Sequence, residues 1–174
     1  LNVTTDKVYE NPEEANHGFT EDEKLDGYDP YSNSKSCSEL VTHSYQKSFF
    51  SETGAMRIST ARAGNVIGGG DFAPDRVIPD CIRAAVRGQV IHIRSPHSTR
   101  PYQHVLEPLS AYLRIAHAQA CDASLAGSYN VGPADSDCVM TGELAELFCR
   151  AWGEGASWRA EEECAAPHEA GFLK

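Results

Sequence analysis

Short β-branched runs alternate along this chain with longer stretches of helical spacing, and that alternation limits the fold more than any other feature. Residues 1–6 read as a strand, and residues 31–52 as a helix with an apolar stripe of Cys37, Leu40, Val41 and Tyr45 that ends at Gly54. Residues 56–62 alternate as a strand should. A second helix is predicted over 75–87, with Ile78, Cys81, Ile82 and Ala85 facing inward and Gly88 closing it. Residues 90–94 form a short strand, and 107–121 a helix with Pro108 in its first turn and Leu109, Tyr112, Leu113 and Ala116 at helical spacing. A strand over 128–131 stops at Gly132-Pro133. Thr141 is placed to cap a helix carrying Leu144, Leu147, Phe148 and Trp152, with Gly153 at its end. Residues 8–30, acidic and broken by Asn11-Pro12, Gly18, Gly27 and Asp29-Pro30, read as a loop. Strands separated by helices imply an α/β fold with a parallel sheet.

A chain of 174 residues can bury a single core, and 41% hydrophobic with 23% charged residues is the balance of a soluble globular protein. No run is long enough to span a membrane, no signal peptide opens the sequence, and a chain that starts on a strand is expected to start inside a fold. The formal net charge of −10 argues against nucleic acid and anionic membranes as partners. It leaves room for a nucleotide, because a pyrophosphate needs only a few local cations and a helix N-terminus. Six scattered cysteines (Cys37, Cys81, Cys121, Cys138, Cys149, Cys164) form no C-x-x-C pair, which points to reduced thiols and a cytoplasmic location. His17, His43, His92 and His117 lack ligand spacing, so no metal is expected.

The chemistry-bearing stretch is Asp29-Pro30-Tyr31-Ser32-Asn33-Ser34-Lys35, read with Thr4-Thr5-Asp6-Lys7 upstream. If Pro30 opens the helix, Tyr31 and Lys35 share one face. An ammonium fixed beside a phenol favours the phenolate, so such a pair can act as a base nearer neutrality than a free phenol. Tyr-x-x-x-Lys alone is a weak signal, since ordinary surface pairing explains most occurrences. Its weight here comes from the strand end that delivers a hydroxyl, a carboxylate and an ammonium in succession.

Together these segments resemble the extended branch of the short-chain dehydrogenase/reductase superfamily, the NAD-dependent epimerases and dehydratases of nucleotide sugars. Thr4-Thr5-Asp6-Lys7-Val8-Tyr9-Glu10-Asn11 is similar to one subgroup, the CDP-glucose 4,6-dehydratases. The dTDP-glucose dehydratases carry Thr-Asp-Glu there, and epimerases lack the Asp. The resemblance implies part of a Rossmann-like sheet with catalytic residues over 1–70, and a smaller α/β region over 71–174, intertwined with it, that is mainly substrate-binding. It implies NAD as cofactor and a nucleotide sugar as substrate. Thr5 would hydrogen-bond the substrate hydroxyl, Tyr31 would remove its proton, and Lys35 would hold the nicotinamide ribose. Asp6 would be the acid for a departing hydroxyl, and Lys7, at the position where the dTDP enzymes carry Glu, would be a base only if burial or a neighbouring cation kept its amine neutral. Asn65, in Arg62-Ala63-Gly64-Asn65-Val66, would meet the pyrophosphate; otherwise it serves a tight turn. Arg100, in Arg100-Pro101-Tyr102-Gln103-His104-Val105, would pair with the diphosphate, for which a planar guanidinium is suited. Arg76 would face the nucleotide or else be a surface charge; His104 would be structural. His168-Glu169-Ala170 resembles a dehydratase segment near the substrate pocket.

The sequence contains no strand-turn-helix unit with a G-x-x-G-x-x-G or G-x-G-x-x-G turn, the usual pyrophosphate anchor of a dinucleotide. The resemblance therefore covers the middle of a family member, with the NAD-anchoring part expected to lie outside it. The implied full-length form is a homo-oligomeric, cytoplasmic enzyme of deoxysugar and lipopolysaccharide biosynthesis. Three alternatives stay open at this point: a sugar-nucleotide epimerase, which would not need Asp6 or Lys7; a non-catalytic sugar-nucleotide-binding module; and a structural fragment.

Overall fold

The structure, a computed structural model, describes residues 1–12, 14, 17–50 and 57–161. Strand β1 (Asn2–Thr5) runs into a single 3₁₀ turn (Asp6–Val8), where the Thr5 hydroxyl accepts from the Lys7 amide. Helix α1 (Pro30–Phe49) starts where Pro30 predicts. Asp29 caps it, one carboxylate oxygen accepting from the amides of Tyr31 at 2.9 Å and Ser32 at 3.0 Å. Then follow β2 (Thr60–Ala63), β3 (Val66–Ile67), α2 (Val77–Val86), β4 (Ile91–Ile93), β5 (Thr99–Arg100) and β6 (Gln103–His104). The chain continues through α3 (Leu106–Cys121), β7 (Ser128–Val131), β8 (Val139–Met140), α4 (Thr141–Trp152) and β9 (Trp158–Ala160).

The main sheet is parallel, in the order β1-β2-β7, with Thr4 opposite Arg62 and Arg62 opposite Asn130. Two short parallel pairs, β3-β6 and β4-β9, and one antiparallel pair, β5-β8, complete the strand set among the described residues. The parallel α/β architecture is the one that the alternation implies. Because β1 and β2 run the same way, their carboxyl ends lie side by side, bringing Thr5-Asp6 next to Gly64-Asn65. In open parallel sheets that edge is where ligands bind.

The helix faces differ from the sequence reading. On α1 the buried residues are Ser32, Ser36 and Glu39, whereas Leu40, Val41 and Tyr45 of the expected inward stripe are exposed. The reason lies in the strands beneath: Thr4, Thr60 and Arg62 are buried there, and a polar helix face is their hydrogen-bonding complement. Asn2 Nδ2 donates to Ser38 and Thr42, and the Ser36 hydroxyl donates to the Val8 carbonyl at 2.7 Å. On α3, Leu109 and Leu113 are likewise exposed, and Pro108 is the buried residue.

A separate apolar core forms where α2 and α4 meet β4 and β9. Cys81, Ile91, Ile93 and Ala145 are buried in it, with Phe148 and Trp158 packed against them. Cys81 and Ala85 face inward as expected, but Ile82 and Leu147 are exposed. Helix α2 starts two residues later than expected, after Asp75 at φ +61° and Arg76 as its cap. It ends at Gly88, whose φ of +63° lets its amide and that of Gln89 turn back onto Ala85 and Ala84. Met140 rather than Thr141 caps α4; Thr141 is the first helical residue, and its hydroxyl is bound to Ser98 and Tyr102 instead. The strand expected over 56–62 is confined to Thr60–Ala63, and Glu52, Gly54 and Met56 lie outside the described residues.

Candidate active site

A cleft of about 600 Å³ opens at the carboxyl ends of β1 and β2. Thr5, Asp6, Lys7, Tyr31, Asn65, Arg76 and Arg100 all line it, although they come from five separate stretches of chain. Lys35 is not in the lining; it sits one helical turn behind Tyr31, with its ammonium 6.0 Å from the phenol ring centroid. Tyr31 is exposed, so its hydroxyl is available to a ligand.

Asp6 has the most unusual surroundings. Its Oδ1 accepts from the Thr5 hydroxyl at 3.0 Å, and among the described residues its Oδ2 is the one buried side-chain polar atom with no hydrogen-bond partner. Burial pushes the carboxyl up to about 6, against the opposing pull of Thr5, Lys7 and Arg100. One neighbour confines it closely. Gly64 lies so close that an added Cβ would stand 2.8 Å from Asp6 Oδ2 and 2.5 Å from Pro101 Cγ, so only glycine fits there. The Arg100 side chain is buried, close enough to act electrostatically on Asp6, and donates to the Thr99 carbonyl at 3.0 Å.

The other expected residues take distinct positions. Lys7 is exposed at the rim, and Asn65 is half-buried with its carbonyl accepting from the Gln103 amide at 2.9 Å. Arg76 lines the cleft but is largely exposed and pairs with Asp71 at 2.9 Å. His104 is exposed and accepts from the Leu106 amide at the start of α3, which is a structural position. His168 lies outside the described residues. Sequence reasoning passed over Glu39, Tyr9 and the side chain of Arg62. These three join in a buried network under the cleft, and no local spacing links residues 23 and 53 positions apart. The available signal was a charged residue in an otherwise strand-like run.

Tyr31, exposed at the cleft, and Lys35 behind it are the residues that could meet the ribose of a dinucleotide, while no glycine-rich turn of the pyrophosphate-anchoring kind occurs in the sequence.

Fold and cleft together define an α/β protein with an open cleft at the carboxyl edge of a parallel sheet. Residues 1–132 match the NAD dependent epimerase/dehydratase family, and the chain belongs to that family. It is 44% identical to the CDP-glucose 4,6-dehydratase of Salmonella typhimurium, over all of this chain and 49% of the relative. Among solved structures it resembles the dTDP-glucose 4,6-dehydratase of Bacillus anthracis in complex with NAD (TM-score 0.78, 20% identity, 98% of this chain and 50% of that one). It also resembles the UDP-glucuronic acid 4-epimerase of Bacillus cereus in complex with UDP-glucuronic acid and NAD (TM-score 0.74, 18% identity, 98% of this chain and 50% of that one). The chain thus spans about half the length of these proteins. Dehydratases and epimerases share the fold, so the choice between them rests on the site.

Proposed function

We propose that this chain carries the catalytic centre of a nucleotide-sugar 4,6-dehydratase that converts CDP-glucose to CDP-4-keto-6-deoxyglucose. The observation that carries the reading is Asp6: a buried carboxyl, raised to about 6, standing in the same cleft as Tyr31. An epimerase has no use for such a group, whereas loss of water from carbon 6 requires a proton donor. A carboxyl with this elevation keeps a protonated fraction near neutral pH, as general acid catalysis needs.

The residues divide the work as follows. NAD, when bound, supplies the hydride acceptor at carbon 4 and the donor at carbon 6. Tyr31 takes the proton of the carbon 4 hydroxyl, oriented by Thr5, and Lys35 holds the nicotinamide ribose. The ketone so formed acidifies the proton at carbon 5; a base takes that proton and returns it to carbon 5 once hydride has reached carbon 6, and Lys7 at the rim serves as that base only in its neutral form. Asp6 then gives its proton to the oxygen leaving carbon 6, which departs as water. Arg100, Asn65 and Arg76 bind the diphosphate and nucleotide side of the substrate. In this reading residues 1–70 hold the catalytic part and 71–174 mainly the substrate-binding part. The full-length form is a cytoplasmic homo-oligomer, and its product feeds deoxysugar assembly, lipopolysaccharide included. Among the described residues, no helix is long and apolar enough to cross a membrane.

Asp6→Asn in the full-length protein tests the assignment. It keeps the shape and removes the acidic proton, so turnover should fall by about 10²–10⁴-fold. The 4-keto glucose intermediate should accumulate with the absorbance of reduced cofactor, and mass analysis identifies the sugar. Turnover at the parental rate would remove Asp6 as the acid and favour an epimerase. Loss of the first oxidation, with nucleotide-sugar binding intact, would break the division of labour between Tyr31 and Asp6.

A further inference from the structure

Arg62 stands in the middle of β2, between Thr4 of β1 and Asn130 of β7. Every nitrogen of its guanidinium is engaged. Nε donates to Glu39 Oε1 at 3.1 Å, one terminal nitrogen donates to Glu39 Oε2 at 3.0 Å, and the other donates to the Tyr9 hydroxyl at 2.6 Å and the Glu21 carbonyl at 2.9 Å. The Tyr9 hydroxyl donates in turn to Asn130 Oδ1 at 2.6 Å. Glu39 also accepts from the Thr4 hydroxyl, one residue before Thr5. Both charged side chains are buried, at 3% and 2% exposure, and neither lines the cleft.

Glu39 lies on α1, four residues beyond Lys35 and eight beyond Tyr31. The rest of that helix's buried face is Ser32 and Ser36, so no large apolar side chain wedges it against the sheet. A bidentate guanidinium–carboxylate pair fixes distance and angle together, which single hydroxyl contacts do not. The geometry points to Glu39 and Arg62 as positioning residues. Their ion pair sets the rotation and axial register of α1, and with them the stance of Tyr31 and Lys35 relative to Thr5 and Asp6. This rests on the catalytic reading of those four residues.

A mere stability role and a positioning role separate in the full-length double variant Glu39→Leu/Arg62→Met. Replacing a buried ion pair by apolar groups of similar volume is often neutral for stability. The double variant should therefore melt near the parent and bind the nucleotide sugar, by calorimetry, with parental affinity. Its single-turnover oxidation at carbon 4, followed by the appearance of the 4-keto sugar, should fall roughly 10–100-fold, as for a small misplacement of reacting groups. Recovery of that rate together with stability would overturn the proposal. If the double variant does not fold, Arg62→Lys decides: it keeps the charge and loses the fork. An oxidation rate about tenfold down with unchanged nucleotide-sugar affinity supports the clamp, and a parental rate overturns it. Both variants are scored on the first oxidation alone. A parent that oxidises the sugar without eliminating water would thus sink the dehydratase reading and leave this test standing.

Discussion

The two halves of this molecule are held together by opposite means. Around α2, α4, β4 and β9 the contacts are apolar, built on Cys81, Ile91, Ile93 and Ala145. Where α1 packs on β1 and β2 they are mainly polar, built on Ser32, Ser36, Glu39, Thr4 and Arg62 with Val8, Ala61 and Ala63 buried nearby, while Leu40, Val41 and Tyr45 of α1 are exposed. Apolar burial is non-directional and tolerates small adjustments, whereas a hydrogen-bonded ion pair is specific in angle. The half that carries Tyr31, Lys35, Thr5 and Asp6 is the directional one. That arrangement suits the proposed site, whose reacting groups come from separate segments and must be held in register.

The largest expected effect breaks the polar half. Glu39→Leu alone leaves the Arg62 charge buried without its partner, and it should destabilise the full-length protein by about 3–5 kcal/mol in urea unfolding at neutral pH. The gap should narrow in acid. Burial pushes the Glu39 carboxyl up, but hydrogen bonds from Arg62, Thr4 and Thr60 outweigh it and hold the group below the usual carboxylate range. Its contribution is therefore present above the unfolded value and lost as pH falls through the folded one. A cost that stays constant down through that range would mean that Glu39 acts by packing alone.

The apolar half is the counterpart. Ile91 is fully buried, and Ile91→Ala removes its contacts and leaves a cavity, at a cost of roughly 3 kcal/mol. This loss should be the same in acid as at neutral pH, and nucleotide-sugar oxidation by the folded fraction should stay near parental. A pH-dependent cost, or a fall in oxidation beyond the unfolded fraction, would erase the distinction between the two regions.

That distinction also explains what could be read from the sequence. The strand over Ser128–Val131, the start of α1 at Pro30 and the closure of α2 at Gly88 follow from local chemistry, and all stand where expected. Most residues of the cleft were legible too, through the resemblance of Thr4–Asn11, Tyr31-x-x-x-Lys35 and Arg100–Val105 to a known family, although Lys35 stands outside the lining. The buried face of α1 was not legible. Hydrophobic periodicity takes apolar residues to point inward, and on α1 the sheet beneath supplies hydroxyls and a guanidinium rather than methyl groups. Nor could any spacing reveal that Asp6 and Pro101 both crowd against Gly64, an approach of three segments distant in sequence.

Asp6 is the exception inside the polar half, and the smallest predicted effect turns on it. Glu39 is a carboxyl whose burial is compensated, and it stabilises the fold when ionised. Asp6 is one whose burial is not: Oδ2 has no partner, and the group is raised to about 6. The folded protein therefore holds this proton more tightly than the unfolded chain does. Its contribution is full below the unfolded value near 3.8 and is lost as pH rises through about 6. At pH 7.5 the parent carries an ionised carboxylate in a slot that disfavours it, and Asp6→Asn removes that charge. The variant should be more stable than the parent by on the order of 2 kcal/mol at that pH. Near pH 4 the two should unfold at the same urea concentration. The slopes for Glu39→Leu and Asp6→Asn would then run in opposite directions, one marking a carboxylate built to hold the helix and the other a carboxyl kept under strain for proton donation. An Asp6→Asn protein that is less stable at pH 7.5, or equally shifted at both pH values, would show that the folded state does not hold Asp6 in the raised condition that the proposed acid role requires.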